Sequence, residues 1–272
     1  MSFLRTTILL ATLTGVFLAV GFLLAGIGGM TIALVMAVLL NFFSYWFSDK
    51  IVLAMYKAKP FQDREINHIV ENLSKKAGVP KPKVYIINEK IPNAFATGRS
   101  PKHAALAITT GLMERLSKDE VEAVLAHEMA HIKNHDVLVS TMAATIAGAI
   151  SYLAQLAWFG AFSRDERGNS SIILIPLLLL APIAAMLIHL AISRGREFGA
   201  DYTGALISKK PLSLASALEK ITNIVYESPS RGNSATSHLW IVNPFTADSF
   251  AALFSTHPPV NERIRRLKEM KI

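Results

Sequence analysis

From Thr6 to Phe47 the chain carries no charged side chain. A helix needs about 20 apolar residues to cross the hydrocarbon core of a bilayer, so this stretch is long enough for two. Gly26, Gly28 and Gly29 fall near its middle, and the reading is a helical hairpin over residues 1–48. Arg5 would suit the start of a cleaved signal peptide, but the apolar run is too long and lacks a convincing small-residue cleavage site. Two further charge-free blocks follow, Val137–Phe162 and Ile172–Ile192. Buried core helices are the alternative; their length favours spanning, which brings the expectation to four transmembrane helices. These blocks explain a 51% hydrophobic composition and a mean hydropathy of +0.37, too apolar for an ordinary soluble domain. His189 lies near the end of the fourth block and is read as an interfacial or interhelical hydrogen-bonding group.

Basic residues set the direction of insertion. Lys50, Lys57 and Lys59 follow the second block, and Arg194 and Arg196 follow the fourth. In the loop Ser163–Ser171, Arg164 and Arg167 are balanced by Asp165 and Glu166. The positive-inside rule then puts both termini on the cytoplasmic side of the cell (inner) membrane. It puts the segments 49–136 and 193–272 there too, together forming one folded unit, with 137–192 as a second helix pair joined by a short external loop. The net charge of +8 fits an anionic bilayer surface. No zinc knuckle, RNA-binding aromatic signature or long Lys/Arg run supports a nucleic-acid partner. The chain has no cysteine, which excludes disulfides, thiolate metal sites and a Cys nucleophile. Any bound metal must use His and carboxylates.

Outside the apolar blocks the pattern is mixed α and β. Phe61–Ala77 has helical periodicity, with Ile66, Ile69, Val70 and Leu73 on one face. Lys83–Asn88, Asn93–Gly98 and Ala104–Thr110 read as short strands. Ser117-Lys-Asp-Glu120 forms a capping-box signature that opens a helix. Pro258 and Pro259 open a final basic helix, Val260–Lys271.

The helix that starts at Ser117 carries His127-Glu-Met-Ala-His131. Positions i and i+4 share one helix face, so two imidazoles can bind one zinc ion, and Glu128 beside them can deprotonate a water that the ion activates. A third protein ligand is needed. His135 continues the series, but a straight helix rises about 12 Å over eight residues, too far for three His on one tetrahedral ion. Glu166 is one membrane crossing away, on the far side. Glu197 is two crossings away and returns to the same side, just after the fourth block. Its alternative role is a salt bridge with Arg194 or Arg196. Asp201, one turn on, is placed to accept a hydrogen bond from a ligand imidazole.

These residues resemble the HtpX-type membrane metalloproteases, relatives of the CAAX prenyl proteases. The likeness runs over nearly the whole chain: the amino-terminal hairpin, Asn93-Ala-Phe-Ala96, His127–Asp136, two further spans, Arg196-Glu-Phe-Gly-Ala-Asp201, Ser237–Pro244 and Thr256-His-Pro-Pro259. The resemblance implies an α+β membrane protein with a mostly helical, zincin-type protease domain carrying a small β-sheet. It implies one zinc per chain on His127, His131 and Glu197, Glu128 as general base, and endopeptidase action on misfolded or damaged membrane proteins or unfolded polypeptides. It suggests that Asn93, Ala94, Phe95 and Ala96 form an edge strand that holds substrate, the alternative being a purely structural strand. It places His257 at the oxyanion, the alternative being the start of the helix at Pro258. A catalytically silent membrane scaffold of the same fold is the rival function, and the intact Glu128 argues against it.

Overall fold

Ala25 and Gly26 leave helical geometry inside an otherwise continuous helix, α1 (Ser2–Met55). Gly26 has φ 58° and ψ −144°, a backbone state that glycine alone adopts readily. The two arms fold back on each other. A Cβ on Gly21 would come within 2.5 Å of the Gly29 carbonyl, so the arms touch backbone to backbone. Further along, Asn41 Nδ2 donates to Thr14 Oγ1 at 3.0 Å across 27 residues of sequence. The chain therefore reverses within the glycine-rich stretch.

The computed structural model describes residues 2–138, 140–142, 194–227, 239–242 and 258–272. Among them, one helix, the 31 residues Ala25–Met55, is long and apolar enough to cross a membrane. Most of the third apolar block, all of the fourth, the loop Ser163–Ser171, Glu166, His189 and His257 lie outside the described residues.

The second arm does not stop at Phe47. It runs through Asp49 and Lys50 to Met55, because a charge does not end a helix without a cap or a turn. The chain turns at Lys57, with φ 50°, and enters β1 (Lys59–Pro60). The last turns of α1 thus belong to the folded unit, with Val52 and Leu53 packed beneath the sheet.

Helix α2 (Arg64–Ala77) starts three residues later than the periodicity suggests. Asp63 accepts from Ile66 N–H at 2.9 Å and sets the start, while Phe61 N–H is taken by the Val84 carbonyl. Strands β2 (Lys83–Ile87), β3 (Ala94–Gly98) and β4 (Ala104–Thr109) follow. The sheet order is β1-β2-β4-β3, with β2 and β4 parallel and both outer pairs antiparallel. Alternation along β4 sends Ala104, Leu106 and Ile108 into the main core and Ala105 and Ala107 against α1. Both faces are buried, and β3 lies at the sheet edge.

Helix α3 (Thr110–Arg115) was not legible in the sequence; Thr109 Oγ1 caps it by accepting from Leu112 N–H. Helix α4 (Lys118–Lys133) forms the expected capping box: Glu120 Oε2 accepts from Ser117 N–H at 2.8 Å and Ser117 Oγ from Glu120 N–H at 3.4 Å. From Ala123 to Ala130 every residue of α4 is buried, making it the central element. Helices α5 (Arg194–Ser208) and α6 (Pro211–Glu227) pack against it, and α7 (Val260–Glu269) packs on α6 and α5.

Glu120 also joins α4 to α6. Its carboxylate accepts from Ser216 Oγ at 2.6 Å and Lys220 Nζ at 2.9 Å. Burial raises the Glu120 pKa, but the hydrogen bonds from Lys220, Ser216 and Ser117 outweigh it and bring the value from 4.5 down to about 2. Since the folded value is depressed, this stabilisation is present above pH 4.5 and is lost as pH falls toward about 2. Unfolding midpoints in detergent should therefore drop across that window, and Lys220→Ala should flatten the drop. Parallel pH profiles for wild type and Lys220→Ala would assign the acid sensitivity elsewhere.

Candidate metal centre

His127, Glu128 and His131 lie on the last two turns of α4, and Glu197 and Asp201 on the first two of α5. The two helices approach closely because Gly204 has no side chain. A Cβ there would sit 2.8 Å from both the N and Cα of His127. Glu197, Asp201 and Gly204 follow i, i+4, i+7 spacing, so one face of α5 carries all three.

The two imidazoles are perpendicular, with ring centroids 4.8 Å apart. Each turns Nε2 toward the Glu197 carboxylate: His127 Nε2 lies 3.8 Å from Oε2 and His131 Nε2 3.4 Å from Oε1. One ligand atom from each of the three residues falls within 4.8 Å of the others. Tetrahedral bonds of about 2.0–2.1 Å put neighbouring ligand atoms about 3.3–3.4 Å apart, so the set closes on a zinc-sized ion with small adjustment. Behind the rings, His127 Nδ1 is 2.9 Å from Asp201 Oδ1, and His131 Nδ1 is 3.4 Å from Asp136 Oδ2. Both Nε2 atoms thus point inward and both Nδ1 atoms face a carboxylate, the arrangement that fixes ligand imidazoles.

The electrostatics ask for a cation. Glu197 and Asp201 lie against one guanidinium, that of the fully buried Arg263, Glu128 is near enough to act on its charge, and Asp136 faces His131. Burial lowers the His131 pKa, but Asp136 and Glu197 override it and push the value up to about 10. Burial raises the Glu128 pKa above the ordinary carboxylate range, against the pull of the His127 and His131 charges. Asp201 is held down at about 2, because the Arg263 charge outweighs its burial. The donor set of two imidazoles and a carboxylate, with excess negative charge around it, fits a divalent metal.

Arg263 orders the carboxylates. Nε donates to Asp201 Oδ2 and Nη2 to Asp201 Oδ1, both at 2.8 Å, while Nη1 donates to the Ile241 carbonyl at 3.1 Å and lies 3.3 Å from Glu197 Oε2. The bidentate fork fixes Asp201, which in turn faces His127. Asn93 holds the other side of the same segment: its Nδ2 donates to the Leu239 carbonyl at 3.4 Å and its Oδ1 accepts from Ile241 N–H at 3.0 Å. The side chain of Asn93 is thus spent on fixing residues 239–241.

Residues Ala94, Phe95 and Ala96 lie in the edge strand β3, and Asn93 immediately precedes it. Ala96 N–H points away from β4 and donates to Glu128 Oε2 at 2.9 Å, tying the strand to α4. His135 sits outside the cluster, exposed at the end of α4 with φ 59°. Asp136, Arg263 and Gly204 were missed in the sequence. A signal existed for Arg263, since Val260, Ile264 and Leu267 form one apolar stripe and Arg263 falls inside it.

The family model for peptidase family M48 matches residues 60–271. A protease HtpX homolog from Pyrococcus furiosus is 53% identical over 98% of this chain and 95% of its own length. Another, from Sulfurihydrogenibium sp., is 50% identical over 98% of this chain and 95% of its own. The crystal structure of S. mikatae Ste24p has the same fold at 21% identity, with a TM-score of 0.51 over 95% of this chain. The chain spans 62% of that Ste24p chain. With the family model reaching from the first strand to the end of the chain, and HtpX relatives identical at half of the positions, the chain belongs to peptidase family M48.

Proposed function

We propose that the chain is a zinc-dependent endopeptidase of the cell membrane that cleaves misfolded or damaged membrane proteins. The observation that carries this reading is the convergence of both Nε2 atoms on the Glu197 carboxylate, with Glu128 beside them. His127, His131 and Glu197 hold the ion. When bound, zinc supplies Lewis-acid polarisation of the scissile carbonyl and acidifies water at neutral pH. Glu128 takes the proton from the attacking water and returns it to the leaving amine. Its buried position keeps that proton from bulk water between the two events. Asp201 and Asp136 keep the imidazoles oriented, and Arg263 keeps Asp201 in place. Strand β3 receives extended substrate by backbone pairing, with Ala96 N–H released from Glu128 as the peptide enters. His257 stabilises the oxyanion.

In this reading four helices cross the bilayer, residues 49–136 and 193–272 form the protease unit, and the active site and both termini are cytoplasmic. The continuous helix Ala25–Met55 supports it, since the same helix that is apolar enough to span also packs under the sheet. The chain has no cysteine of its own, so single Cys substitutions report sidedness. A thiol reagent applied outside intact cells should label Gly168→Cys and spare Ala58→Cys. The reverse pattern would refute the orientation.

The substrate class is tested in vesicles. A destabilised membrane protein co-reconstituted with the enzyme should be cut, and a chelator should stop the cutting. A preparation that cleaves small esters or lipids but no polypeptide would show a hydrolase of another class.

A further inference from the structure

Where α1 leaves the apolar region, Tyr45, Trp46 and Phe47 precede Asp49 and Lys50. Aromatic residues at such a boundary sit at headgroup level. The Arg99 guanidinium lies 4.7 Å from the centre of the Trp46 ring and donates to the Trp46 carbonyl at 3.4 Å. Among the described residues no carboxylate pairs with Arg99, whereas Arg263, Arg265 and Arg266 are all ion-paired. Arg99 lines a small cleft of about 50 Å³ together with Ser100, Pro101, His135, Val137 and Leu138. Among the described residues no acidic side chain lines it. Ser100 Oγ lies 3.1 Å from His103 Nδ1, and His103 and Lys102 are exposed on the same turn.

We infer that this cleft binds the phosphate of an anionic glycerophospholipid. Guanidinium, hydroxyl and imidazole offer donors to phosphate oxygens, and the guanidinium fork suits phosphate in particular. Val137 and Leu138 give the cleft an apolar wall where the glycerol and first acyl carbons would lie. A free phosphate needs no such wall, which favours the lipid. The depth set by Trp46 puts the cations where a headgroup is met. The site lies on the turn after α4, where Asp136 leaves to face His131, so a headgroup held here abuts the support of a metal ligand. The inference rests on the membrane reading above.

The test uses the purified full-length chain. It should float with vesicles of phosphatidylcholine, and in native mass spectrometry it should retain phosphatidylglycerol in preference to phosphatidylcholine. R99Q should weaken phosphatidylglycerol retention about fivefold, the usual effect of one basic group at an anionic surface. R99K should recover part of it, and K76Q, on exposed α2, should change nothing. H135Q, at an exposed position, should weaken retention without touching the contact with Trp46, and it carries the test if R99Q fails to fold. Wild type that floats but shows no preference, or R99Q and H135Q that retain phosphatidylglycerol as wild type does, overturns the lipid site and leaves the membrane reading standing. Wild type that does not float at all overturns the membrane reading itself. Inorganic phosphate that displaces the lipid completely would overturn the lipid assignment and leave a plain anion site.

Discussion

Glu128→Gln should bind zinc as wild type does and lose at least ~100-fold in peptide cleavage, the usual scale for removing a general base. The substitution keeps the shape of the side chain and leaves all three ligand residues intact. One Oε of Glu128 accepts from Ala96 N–H at 2.9 Å, and the amide oxygen of Gln can still accept that bond. The edge of the sheet therefore stays in place, and lost activity reads as lost proton transfer. Metal content, an unfolding midpoint and cleavage of one membrane-protein substrate make the comparison. Turnover close to wild type would end the proposed mechanism. Loss of zinc along with activity would show that Glu128 belongs to the ligand set.

Glu197→Ala should abolish zinc retention and cleavage together, because it removes the only ligand contributed by α5. Asp201 needs a gentler change. Its carboxylate neutralises a fully buried guanidinium, and removing one partner of a buried pair costs about 3–5 kcal/mol in stability. Asp201→Asn keeps the shape and lowers metal affinity ~10–100-fold, as expected for a group that orients a ligand. Excess zinc should then restore Asp201→Asn and fail to restore Glu197→Ala. His135→Ala should keep its metal, since φ 59° turns that residue away from the site. A zinc titration of all three variants decides. Should His135→Ala lose zinc while Glu197→Ala keeps it, the ligand assignment is wrong.

What the sequence could reveal depended on how local the signal was. The pair His127 and His131 is fixed by helical spacing alone, and the capping box Ser117/Glu120 identified the helix that carries it. Glu197 was reached by counting membrane crossings, and the described residues bring it to the same cluster. Strands β2, β3 and β4 were visible to within a residue, because their ends coincide with changes in pattern. The two-residue β1 and the six-residue α3 were not, since neither is long enough to show a period. The end of the second arm of α1 was placed at the first charges, yet the helix continues to Met55. Long-range partners were the main omission. Arg263 meets Asp201 across 62 residues, and Asn93 meets Ile241 across 148, with no local pattern announcing either. Gly204 has no local sequence signal either, since its role lies in the His127 backbone packed against it.

The central claim is that His127, His131 and Glu197 hold one catalytic zinc. It is tested most directly by measuring metal content and substrate cleavage on the same purified sample while a chelator is titrated in and zinc is then restored. The account predicts one zinc per chain at the start, cleavage falling in proportion to the metal removed, and recovery of both when zinc returns. Cleavage that persists in metal-free protein would contradict it.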